Sequence, residues 1–122
     1  FIENIPTHCT GAAIDMTLFK MDSFGETSLM DLGMFDTIYG ENRHEKTFSE
    51  NVTDEQLKNR MLLLSIATKS GFVNYGYEWW HYSYGDRPWA FVKKQKNALY
   101  NLAINDEDKE ILRIKFILKF FY

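Results

Sequence analysis

The sequence predicts an α+β domain, an antiparallel-rich sheet with packed helices. Three observations carry this. Residues 11–20 can be read as one extended run with an apolar face. Residues 54–70 repeat apolar side chains at helical spacing behind a capping signal. Residues 72–92 are rich in aromatic residues, broken by Gly76 and Gly85. A length of 122 residues suits one domain. With 45% apolar and 25% charged residues, the composition is that of a folded chain rather than a disordered one.

The elements follow in order. Residues 1–10 are irregular, with Pro6 near a turn. In the 11–20 strand, Ala12, Ile14, Met16 and Leu18 share the face expected to meet the core. Ala13, Asp15, Thr17 and Phe19 share the other. A turn is expected around Asp22-Ser23-Phe24-Gly25. Residues 30–52 read as a long loop, which in a small domain is usually functional or mobile. The helix starts after Thr53, with Gln56 completing a capping box and Asp54 and Glu55 at the positive end of the dipole. Leu57, Met61, Leu64 and Ala67 form its stripe, widened by Leu63. Lys69 and Gly71 end it. Strands are expected at 72–75 and 79–84, with Asp86 and Arg87 in a turn as a surface ion pair. Residues 89–100 form a short helix or a strand. Asn105 or Asp106 is placed to cap a last helix starting at Glu107, although the apolar, basic end of the chain also reads as a strand.

Composition excludes several functions. A net charge of -3 argues against nucleic acid, which needs clustered Lys and Arg. Cys9 is the single cysteine, so no internal disulfide or multi-cysteine metal site forms. No apolar run is long enough for a transmembrane helix, and no secretory signal stands in the first residues. A cytoplasmic location is expected, with the periplasm as alternative.

Two segments carry chemistry: His8-Cys9-Thr10-Gly11-Ala12-Ala13-Ile14-Asp15 and Glu78-Trp79-Trp80-His81. His8, Asp15 and His81 make a suitable zinc set, three protein ligands with one position left open. Gly11 allows a turn between His8 on a loop and Asp15 on the following strand. His81 comes from a distant strand. Glu78 suits a general base, taking a proton from water and passing it to a leaving amine. In an ideal strand, positions three apart face opposite ways, so Glu78 and His81 share a site only if the backbone bends. Spacing alone leaves open a packed core His beside Trp and a strand Asp bonded to backbone. His44 reads as a solvated loop residue and Asp31 as a loop hydrogen-bonder. Cys9 reads as a bystander thiol.

The two segments resemble the signatures of the D-alanyl-D-alanine dipeptidases, zinc enzymes of the vancomycin-resistance type. The first matches a His-x-x-Gly-x-Ala-x-Asp pattern. The second is Gly71-Phe72-Val73-Asn74-Tyr75 followed by Glu78-Trp79-Trp80-His81-Tyr82-Ser83-Tyr84-Gly85-Asp86. The resemblance covers residues from about 6 to 100 and places residues 1–100 as the catalytic portion, with 101–122 a divergent tail. It implies one zinc ion on His8, Asp15 and His81, with Glu78 as base. It also implies hydrolysis of a small dipeptide in cell-wall precursor metabolism. Gly33-Met34-Phe35-Asp36 is similar to a family segment whose Asp meets the substrate's free amino group, which assigns Asp36 to that ammonium.

The chain departs from the family at Pro6, where Ser is common, and at Cys9, where Ser or Thr is. Family members extend further on the N-terminal side, where they carry an Arg that stabilises the transition state. None of Arg43, Arg60, Arg87 and Arg113 takes that place. The N-terminal part of the fold is therefore expected to be missing here. A truncated zinc-binding remnant, or a split enzyme whose N-terminal half comes from another chain, is the alternative expectation.

Overall fold

A computed structural model of the chain describes residues 6–33, 45–101 and 103. It has the expected α+β architecture. Strands β1 (Ala13–Asp15), β4 (Val73–Asn74) and β5 (His81–Ser83) form an antiparallel sheet with β5 in the centre. Strands β2 (Phe19–Met21) and β3 (Thr27–Leu29) form a separate hairpin.

The run expected as one strand over 11–20 is thus divided. Its first part pairs with β5 and its second with β3, so the chain must change direction between two sheets. The Met16 amide still donates to the Trp80 carbonyl, one step further along the β1–β5 register, before the chain turns away. Ala12 is buried, and Met16 and Leu18 pack on the core as their face predicts. Ile14 does not, being 41% exposed on the sheet's short edge strand. The hairpin turn falls where expected. The Asp22 carboxylate accepts from the Phe24 and Glu26 amides, and Gly25 takes a φ of +85° that disfavours side chains.

Helix α1 (Asp54–Lys69) carries the capping box in full. Thr53 Oγ1 accepts from the Gln56 amide and Gln56 Oε1 accepts from the Thr53 amide. Its buried line is Asn59, Arg60, Leu63 and Ala67, while Leu57 and Met61 are only half-buried. Two polar residues enter the buried face because loop carbonyls need their donors. Asn59 donates to the Asp31 carbonyl, and Arg60 to those of Leu32 and Lys46. Arg60 also lies over the Trp79 ring, 5.5 Å from its centroid.

The core is Leu32, Leu63, Ala67, Trp79, Trp80 and Tyr82, between α1 and the sheet. Strand β5 begins at His81 rather than 79, because residues 78–81 turn. Helix α2 (Arg87–Val92) resolves the ambiguity over 89–100 and starts earlier than expected. Asp86 caps it, accepting from the Trp89 amide, and is 1% exposed, so it is not part of a surface ion pair. Trp89 Nε1 donates to the Gly71 carbonyl and pins α2 to the end of α1. Asp31 bonds the Gly33 amide and Gln56, as a loop hydrogen-bonder would. Residues 30–33 and 45–52 hold no helix or strand. The readings of Asp36, His44, Glu107 and the chain's end lie outside the described residues. Among the described residues, no helix is long and apolar enough to cross a membrane.

Candidate metal centre

His8 sits in a 3-10 turn (Thr7–Thr10) that ends at Gly11 with φ +68°, as the sequence suggested. The chain then enters β1, which ends on Asp15. Asp15 stands directly opposite His81 in the β1–β5 register. Residues directly opposite present their side chains to the same face, so the sheet brings the two together.

One donor atom from each of His8, Asp15 and His81 lies within 4.8 Å of the others. His8 Nε2 is 3.5 Å from Asp15 Oδ1, and His81 Nδ1 is 3.4 Å from the same oxygen. The other nitrogen of each ring has a partner. His8 Nδ1 is 3.2 Å from the Ala13 carbonyl, which can only accept, so Nδ1 carries the proton and Nε2 keeps its lone pair. His81 Nε2 is 3.1 Å from Thr7 Oγ1. With the proton there, the Nδ1 lone pair also faces Asp15. Outer partners of this kind fix ring tautomer and orientation in metal sites. His81 is 7% exposed, and its Nδ1 is buried without a hydrogen-bond partner. An orphaned buried nitrogen is costly unless something fills it. Two imidazoles and a carboxylate are a donor set that fits zinc.

Two successive turns provide the bend that Glu78 and His81 require. The Glu78 amide donates to Tyr75 O at 2.8 Å, and the His81 amide to Glu78 O at 3.3 Å. Glu78 Oε2 thereby comes to 3.5 Å from His81 Nδ1 while its side chain stays 38% exposed. All four residues line a cleft of about 820 Å³, walled by Tyr75, Trp80 and Phe91 among others. Trp79 turns the other way, into the core. Cys9 is exposed and outside the donor set. Thr7 escaped the sequence reading. Its only signal there is adjacency to His8.

Comparison with known proteins agrees with the motifs. A sequence model of the family described as D-ala-D-ala dipeptidase matches residues 3–102. A D-alanyl-D-alanine dipeptidase of Enterococcus faecium is 34% identical over 89 residues, covering 73% of this chain and 42% of the relative. One from Enterococcus faecalis is 32% identical over 105 residues, covering 86% and 46%. One from Synechocystis is 31% identical over 102 residues, covering 75% and 39%. The chain thus spans less than half the length of these curated relatives.

Proposed function

The chain belongs to the D-ala-D-ala dipeptidase family, and from that premise we propose that it takes part in zinc-dependent hydrolysis of D-alanyl-D-alanine. The observation that carries this is the convergence of the three donor atoms beside the Glu78 carboxylate. His8 Nε2, Asp15 Oδ1 and His81 Nδ1 would hold one zinc ion. When bound, zinc supplies a Lewis acid that polarises the peptide carbonyl and makes water a stronger acid.

The chain's own groups do the rest. The Ala13 carbonyl keeps the His8 ring in the ligating tautomer, and the Thr7 hydroxyl orients the His81 ring and can accept from its Nε2. Glu78 Oε2 accepts a proton from the water whose oxygen attacks the carbonyl carbon. It returns that proton to the amide nitrogen as the C–N bond breaks. One water is consumed and two alanines leave. Asp36 is the proposed partner of the substrate's ammonium. Because D-alanyl-D-alanine is a peptidoglycan building block, the reaction belongs with cell-wall precursor metabolism, and the cytoplasm is the proposed compartment.

The test is release of D-alanine from the dipeptide by zinc-loaded protein, with L-alanyl-L-alanine as control. Release that disappears with a chelator and returns with zinc supports the reading. Absence of release from the loaded protein overturns it.

A second reading has its own observation. Among the described residues lining the cleft there is no Lys or Arg to face a developing oxyanion. In that reading this chain supplies metal and base, and a further polypeptide supplies the cation. Stoichiometric zinc without turnover, and turnover on adding that polypeptide, would favour it.

A further inference from the structure

The turns that carry Glu78 connect β4 to β5; the Tyr75 amide closes them on the His81 carbonyl at 3.0 Å, and one side chain adds a second tie. Asn74, the last residue of β4, spans them from within. Its Nδ2 donates to the Glu78 carbonyl at 3.0 Å and to the His81 carbonyl at 3.0 Å. Its Oδ1 accepts from Thr47 Oγ1 at 2.6 Å. Both amide hydrogens and the amide oxygen are used. A flipped amide would set its oxygen against two carbonyl oxygens, so only one orientation is stable.

Thr47 is fully buried, at 0% exposure, and is itself tied to the same turns. Its amide donates to the Gly76 carbonyl, and the Trp79 amide donates to the Glu45 carbonyl. The segment 45–47 and the turns 75–81 are thus laced together, with the Asn74 amide at the crossing. Fixing the backbone at both 78 and 81 sets the spacing between the proposed base and a proposed metal donor.

We infer that Asn74, held by Thr47, is a positioning residue that sets the distance between Glu78 and His81. The inference rests on the proposed roles of those two residues. It concerns this chain's own hydrogen bonds and not the reacting atoms.

The test uses Asn74→Ala, Thr47→Val and Thr47→Ser in the full chain. Zinc affinity is read by competition with a chromophoric chelator. D-alanyl-D-alanine hydrolysis is read as kcat and KM separately. Loss of an outer partner of a metal site typically costs about 10- to 100-fold in affinity or activity. Asn74→Ala is expected to weaken zinc or lower kcat in that range, with KM changed less than about threefold, because the Asn74 amide spends its hydrogen bonds on protein groups although the residue lines the cleft. Thr47→Val, which keeps shape but loses the hydroxyl, is expected to move in the same direction. Thr47→Ser, which keeps the hydroxyl, is expected to restore most of the loss. If Asn74→Ala does not fold, the Val and Ser pair decides by itself. Zinc affinity and kcat both within twofold of the parent overturn the inference, as does equal loss in the Val and Ser variants. If the parent binds zinc but releases no D-alanine, the dipeptidase reading fails, and zinc affinity alone decides the role of Asn74.

Discussion

Asp15 and His81 are cross-strand partners at one end of the β1–β5 pair, with Asp15 Oδ1 3.4 Å from His81 Nδ1. The same carboxylate oxygen lies 3.5 Å from His8 Nε2. Asp15 is therefore the hub of the donor set, and each imidazole reaches it with the nitrogen that is not bonded to Ala13 or Thr7. Strand register, rather than loop conformation, fixes two of the three donors.

On the proposed function, replacing a hub donor removes the zinc. Asp15→Asn and His81→Ala are each expected to lose stoichiometric zinc after dialysis, measured by elemental analysis. In Asp15→Asn the fold should persist by circular dichroism, because Asp15 is exposed and lies outside the core cluster.

Glu78→Gln tests the proposed base apart from the proposed metal donors. The amide keeps the shape but cannot accept the proton. Loss of a general base is expected to lower kcat by about 100- to 10,000-fold, with zinc content unchanged. Turnover assays alongside metal analysis check this.

Much of this was legible in the sequence. The capping box at Thr53 and Gln56 is local chemistry, and α1 appears within a residue of its expected end. The His8 and Glu78 motifs line one cleft, a convergence that spacing alone left open and that the family resemblance implied. What failed depended on distant partners. The 11–20 run shows no sign that its halves join different sheets, because that choice lies with Ser83 and Leu29. Nothing local marks Arg60 for burial, because its carbonyl partners at 32 and 46 are distant in sequence. Asp86 reads as a turn residue until α2 closes over it.

Gly33 faces Arg60 closely. Its φ is +85°, and a Cβ there would lie 2.6 Å from Arg60 Nη2. Burial pushes the Arg60 guanidinium's pKa down while Asp31 pulls it up. A side chain at 33 would strain the backbone and displace a buried cation. Gly33→Ala is expected to destabilise the fold by about 1–3 kcal/mol, read from the urea midpoint.

Burial pushes the Tyr82 hydroxyl up to about 12, and that hydroxyl has no hydrogen-bond partner. The unfolded chain loses this proton near pH 10, while the folded chain keeps it to about 12. Folded protein then binds more protons between those values, so stability falls as pH rises through that window. Tyr82→Phe is expected to flatten the fall. It should cost little near pH 7, since an unsatisfied buried hydroxyl is removed. Denaturant midpoints from pH 9 to 12 check both.

The contact between Thr7 and His81 joins residues 74 positions apart. During synthesis, at about 5–20 residues per second, the His8 and Asp15 end emerges on the order of 4–15 s before His81 can meet it. The helix between them can wind as soon as it appears, because its contacts are local. The three donors therefore cannot meet until synthesis has passed His81, and the proposed zinc would be captured only after that point.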